Sequence, residues 1–153
     1  MSWEQNLIDD RQGIADLLQN SKVVAVLGME RDENQGKPAY AVPMYLKAHG
    51  YDIIPLPVKY PEVREVAGLH AYQSLAEIPS DIDIVEVFRA PRDIDRHVDD
   101  ILAKKPKAVW FQSGIRNDAA AEKLARAGIK VVQDRCMKVE LARVRAQMAH
   151  HPE

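Results

Sequence analysis

The sequence predicts an α/β fold: a Rossmann-like, doubly wound parallel sheet of about five strands with helices on both faces. Three observations point there. Short apolar runs rich in β-branched residues recur along the chain, continuous rather than alternating in polarity, as strands covered on both faces must be. Stretches with helical spacing separate them, and that alternation builds right-handed βαβ units. Finally, 153 residues leave room for one core and not for a second domain, so residues 1–153 read as a single unit.

Taken in order, Trp3–Leu18 predicts a terminal helix, with Trp3 packing against the body. Val23–Leu27 is the first strand. The next helix ends at His49, with Val42, Tyr45 and Leu46 on one face and Gly50 as the residue after its cap. Proline is tolerated in the first turn, where its missing N–H had no partner, so Pro43 predicts a start near Ala39 or Tyr40. Asp52–Leu56 and Ile84–Phe88 are the second and third strands. Pro91 opens a helix with a core stripe of Ile94, Val98, Ile101 and Leu102. Ala108–Phe111 is the fourth strand, placing Trp110 and Phe111 in the core, and Asn117 caps a helix running through Leu124 to Gly128. Ile129–Val132 and a helix over Val139–Met148 complete the chain.

The composition, 46% hydrophobic and 29% charged, is that of a chain able to bury a core unaided. A net charge of −2 offers no global footprint for nucleic acid. The N-terminus is charged and amphipathic, and no apolar run approaches the length of a membrane span, so a cytoplasmic protein is expected. A single cysteine, Cys136, excludes an internal disulfide and a thiolate cluster. His49, His70 and His97 stand at unrelated positions expected to face water, and His150 and His151 lie in the tail, so no metal site is expected.

Ligands of a doubly wound sheet bind beyond the carboxyl ends of its strands, so the loops there carry the functional argument. The first, Gly28 to Pro38, leads into a helix N-terminus, whose free N–H groups and positive dipole end favour phosphate. It lacks the dinucleotide pattern Gly-x-Gly-x-x-Gly. An NAD site wants an acidic residue after the second strand to hold the ribose hydroxyls, and this chain has Pro55-Leu56-Pro57-Val58-Lys59-Tyr60. A cation there suits a ribose that carries a phosphate, as NADP and coenzyme A do.

The chain resembles the stand-alone CoA-binding domain proteins, which look like the N-terminal domain of the succinyl-CoA synthetase α subunit. The resemblance spans about 22–143. It rests on the order and spacing of Pro57-Val58-Lys59-Tyr60, Tyr72-Gln73-Ser74-Leu75, the run from Asp83 to Arg89, the run from Trp110 to Ile115, and the run from Asp134 to Glu140. It implies that coenzyme A is the ligand. Gly28, Met29, Arg31, Lys37 and Tyr40, in the first turn and the helix it enters, would meet the ADP portion. Lys59 would meet a phosphate, and Pro57 is also among the ligand-binding residues. Val58, Phe88, Arg89 and Pro91 would line the adenine and pantetheine path, and Gln112, Ser113 and Gly114 would sit near the thiol. One departure stands out: the family's Gly-Ala-Ser after the first strand is here Gly28-Met29-Glu30, which removes a hydroxyl donor and adds a charge opposing phosphate, with Arg31 and Lys37 available to offset it.

The resemblance implies a non-catalytic binding or regulatory module for coenzyme A or an acyl-CoA, because the synthetase reacts through a phosphohistidine in a second domain and a partner subunit. A protein partner or a homodimer is left open. An NADP-binding oxidoreductase fragment and a CoA-thioester enzyme using Cys136 are the alternatives. Against the site residues stand plainer roles: Lys59 as a solvated charge, Arg89 as anchor of a buried Asp134 or Glu140, and Cys136 as an inert core thiol.

Overall fold

The computed structural model describes residues 2–150. Five strands form one parallel sheet: β1 (Val23–Leu27), β2 (Asp52–Leu56), β5 (Ile84–Val87), β6 (Ala108–Phe111) and β7 (Lys130–Val132), in the order β2-β1-β5-β6-β7. The short strands β3 (Glu65–Val66) and β4 (Leu69–His70) make a separate hairpin. Five helices complete the fold: α1 (Arg11–Gln19), α2 (Pro38–Ala48), α3 (Asp95–Lys104), α4 (Asp118–Arg126) and α5 (Met137–His150). The strands are buried on both sides, which is why their sequences carry no polar alternation. Val24 and Val26 face a front layer with α1, α2 and α5, whereas Ala25 and Leu27 face a back layer with α3 and α4. The predicted doubly wound sheet with helices on both faces is therefore what forms.

The chain leaves β1 for β2 on one side and later crosses to β5 on the other, so the topological switch lies between the ends of β1 and β5. Gly28 makes this crossing possible. Its φ is +92°, and a Cβ at this position would lie 2.4 Å from the Phe88 carbonyl oxygen. Only glycine lets the two strand ends approach this closely.

The structure corrects several expected boundaries. The predicted helix Trp3–Leu18 is split: Trp3–Asn6 is a 3-10 turn, Leu7 bridges Val131 in parallel, and α1 starts only after Asp10, whose carboxylate accepts from the Gly13 N–H at 3.0 Å. That cap and the sheet edge together outcompete a continuous helix. Helix α2 begins at Pro38 rather than near Ala39 or Tyr40, and Pro43 lies inside it. Pro43 has no N–H for the Ala39 carbonyl, which instead accepts from the Glu30 N–H at 3.2 Å. The helix thereby gives up one internal bond and gains a tie to the loop after β1. Pro91 begins a 3-10 turn, Pro91–Asp93, that leads into α3, and α5 starts at Met137, two residues before the expected Val139.

Candidate functional site

At the switch point the loops after β1, β2, β5 and β6 and the start of α2 surround a cavity of about 320 Å³ lined by Glu30, Lys37, Pro38, Ala39, Lys59, Phe88, Arg89, Ala90 and Ile115. Lys37, the N-cap of α2, makes no side-chain capping bond, and Pro38 has no N–H to offer. The Tyr40 N–H is bonded to the Lys37 carbonyl at 2.9 Å, so the first turn leaves the Ala39 N–H, beside the cavity, without a capping side chain. Arg89 approaches Asp93 at 4.0 Å, and its Nε is buried with no hydrogen-bond partner. It does not anchor the carboxylates considered from sequence: Asp134 accepts from the Gly114 N–H at 2.6 Å, and Glu140 pairs with Arg143 at 3.0 Å and Arg135 at 3.6 Å.

Glu30, read from sequence as a charge opposing phosphate, lies on the cavity among these cations. Its side chain is 3% exposed and accepts from Asn34 Nδ2 at 2.8 Å and the Tyr60 hydroxyl at 2.9 Å, with Lys59 Nζ at 3.6 Å. Burial alone would raise its pKa, but these hydrogen bonds and the charges of Lys59 and Lys37 outweigh burial and hold it below the usual value. The Arg31 guanidinium lies 4.4 Å above the Tyr60 ring and fixes the phenol from its other side.

Of the residues singled out from sequence, Lys37, Lys59, Phe88 and Arg89 meet on the cavity, with Gly28 forming the turn beside it. Met29 and Tyr40 are buried in the front core, and the Tyr40 hydroxyl donates to Asp32 at 3.0 Å. Pro57 is buried, and Val58 packs against the back core. Arg31 is held on Tyr60, and Pro91 is exposed. Gln112 is buried and donates to Glu86 Oε2 at 2.5 Å, while Ser113 and Gly114 are exposed beyond β6. Sequence reasoning did not assign Pro38, Ala39, Ala90 and Ile115 to the site. Each lies in a loop after a strand or at a helix start, so position rather than residue type was the available signal. Glu86 was also missed as a charge: it lies in an otherwise apolar strand, and burial pushes its carboxyl up to about 8.

His97, expected to face water, is half-buried on α3 with its Nε2 unpartnered; burial, and then the charges of Arg89 and Arg96, lower its pKa. The His150 side chain and His151 fall outside the described residues. Among the described residues no cluster of His, Cys, Asp and Glu could hold a metal ion, and no helix is long and apolar enough to cross a membrane.

A site of this shape, with cations and a helix N-terminus beside Phe88 and Ile115, suits an anion attached to an apolar body. The model of the family described as CoA binding domain matches residues 22–142. The chain belongs to the CoA binding domain family. This membership implies a small-molecule ligand related to coenzyme A. The uncharacterized protein YneT of Bacillus subtilis (strain 168) is 33% identical over 126 residues, covering 82% of this chain and 90% of YneT. A structure from Thermus thermophilus superposes with a TM-score of 0.82 at 38% identity, covering 89% of this chain and 99% of that one. A hypothetical protein from Pyrococcus horikoshii OT3 gives 0.78 at 31% identity, covering 89% and 92% of the two chains.

Proposed function

We propose that this chain is a cytoplasmic binding or regulatory module for coenzyme A or an acyl-CoA, and that it carries out no reaction of its own. The observation behind the reading is the convergence on one cavity of the α2 N-terminus, Lys37, Lys59 and Arg89. Coenzyme A joins three phosphates to a flat adenine and a pantetheine arm with apolar stretches, and the residues fit both the charged and the apolar parts. The cations and the helix end match its phosphates, the unpartnered Arg89 Nε is a donor left for a ligand, and Phe88, Ala90 and Ile115 offer apolar surface. In this reading the Gly28 turn and Lys37 take the pyrophosphate and Lys59 takes the 3′-phosphate. Val58, Phe88, Arg89 and Pro91 flank the adenine and pantetheine, and Gln112, Ser113 and Gly114 lie toward the thiol. The sequence likeness to the succinyl-CoA synthetase α subunit supports the ligand and supplies no reaction, because chemistry resides in sites rather than folds.

The test compares thermal midpoints and calorimetric titrations with coenzyme A, NADP and NAD. Coenzyme A should raise the midpoint, by about 2.7 kcal/mol of added stability at a hundredfold excess over Kd. NAD should leave it unchanged, because the residue that the loop after β2 brings to the cavity is Lys59 rather than a carboxylate for a ribose diol, and the Glu30 carboxylate there is already held by Asn34 and Tyr60. Equal shifts with NAD and coenzyme A overturn the reading, and a shift with NADP but none with coenzyme A turns it toward the oxidoreductase alternative.

A further inference from the structure

We infer that Glu30 determines specificity at this site, a buried internal anion that holds Lys59 and weakens the grip on a terminal phosphate monoester. The inference rests on the coenzyme A reading above and concerns which phosphates that site favours.

The position of Glu30 is fixed by its backbone as well as its side chain. Its N–H is bound to the Ala39 carbonyl, which Pro43 leaves without a helical partner, so the residue is tied to the first turn of α2. Two neutral donors, the Asn34 amide and the Tyr60 hydroxyl, grip the carboxylate, and the Lys59 ammonium completes a set of three. This is the kind of donor set that would receive a phosphate oxygen, and here the protein supplies its own anion to it.

Two consequences follow. Lys59 remains half exposed, so it reaches the cavity, but with its charge partly spent on Glu30. A phosphate dianion arriving at Lys59 also meets a fixed negative charge on the same cavity wall, and that charge is shielded from water on the protein side. Lys37 acts on Glu30 less than Lys59 does, and Arg89 makes no salt bridge with it, so a pyrophosphate placed near them is affected less. The wild-type site should therefore separate coenzyme A from dephospho-CoA, which lacks the 3′-phosphate, far less well than its cations would suggest.

The experiment is a double-mutant cycle by calorimetry, with coenzyme A and dephospho-CoA titrated into wild type, Glu30→Gln, Lys59→Ala and the double variant. Thermal transitions confirm that each protein is folded, and Glu30→Ser takes the place of Glu30→Gln if the latter is not. Removing the carboxylate charge should tighten coenzyme A by about tenfold and dephospho-CoA by less, and the gain should shrink in the double variant, where only the relief of direct repulsion is left. A neutral residue 30 that binds coenzyme A no more tightly than wild type overturns the inference, as does a gain equal for both ligands or one that is undiminished without Lys59. Those outcomes leave the coenzyme A site standing. Failure of every protein to bind coenzyme A overturns the site itself and this inference with it.

Discussion

Glu86 lies opposite Val26 and Trp110 in the pairing register and is fully buried in the middle of the sheet. Gln112 donates to one of its oxygens and the other has no partner, an arrangement that suits a neutral carboxyl far better than a carboxylate. Burial pushes its pKa from 4.5 up to about 8. Between those values the folded protein holds a proton that the unfolded chain gives up, so stability is full at low pH and falls as pH rises through this window. Every tenfold difference in proton affinity between the two states is worth about 1.4 kcal/mol, so several kcal/mol are at stake. Glu86→Gln, which is neutral at every pH and keeps an amide beside Gln112, should come nearest to wild type at about pH 4, below the window, and be clearly more stable relative to it at about pH 8 to 9. Urea midpoints measured across that range check this, and two curves that stay parallel would show that Glu86 ionises freely. The sequence shows Glu86 as a charge inside an apolar strand, but its protonation depends on Gln112 and on the layers above and below the strand, which no local pattern contains. Lys59, by contrast, was legible as a cation in the right loop, but its partner Glu30 was legible only as an unexplained departure.

At the level of elements, the switch between β1 and β5 depends on how closely the two strand ends pass. Gly28→Ala forces a Cβ to within 2.4 Å of the Phe88 carbonyl, at a φ of +92°. Backbone on both sides leaves little room to relax, so a cost of about 3 kcal/mol or more is expected. Gly50→Ala is the control: its φ is +98°, but nothing lies within 4 Å of the added carbon. It should cost only about 1–2 kcal/mol from backbone strain. Denaturant midpoints of the two variants separate the clash from the strain, and equal losses would mean that the close approach at Gly28 is unimportant. The same contrast explains what could be read in advance. The strands β1, β2 and β6 have the predicted ends because continuous β-branched runs bounded by turn residues are local signals. The hairpin of β3 and β4 escaped notice because its turn is Ala67-Gly68, both residues at positive φ, where alanine is unusual. It is held from outside, by the Ala67 N–H donating to Asp32 at 2.8 Å. The break between Trp3–Asn6 and α1 likewise depends on a distant partner, Val131, that local periodicity does not contain.

For the molecule as a whole, the question is whether the sheet that gathers a ligand also gathers the means to transform it. Nucleophilic catalysis needs an attacking group beside a base, or with a depressed pKa, and a third group to orient it. Cys136 is the single thiol. It is partly buried against the front core, where among the described residues no side-chain hydrogen bond engages it. The neighbouring Arg135 is engaged elsewhere, bonding the Asp9 carboxylate at 2.7 Å and approaching Glu140 at 3.6 Å. Of the histidines, His97 is on α3, across the sheet from Cys136, and the His49 ring is bonded to the Tyr45 carbonyl at 2.8 Å. The carboxylates nearest the proposed ligand are occupied as well, since Glu30 is held by its donors and Asp93 pairs with Arg89 and Arg96. Acetyl-CoA and succinyl-CoA should therefore bind and remain intact, with hydrolysis at the buffer rate and no nucleotide-dependent ligation of coenzyme A. Cys136→Ser should leave both affinities within about twofold, since the thiol is not among the cavity-lining residues. Thioester hydrolysis followed by release of free thiol, alongside calorimetry on both proteins, checks this. Turnover in wild type that disappears in Cys136→Ser would make the protein a thioester enzyme and set aside the binding-module reading.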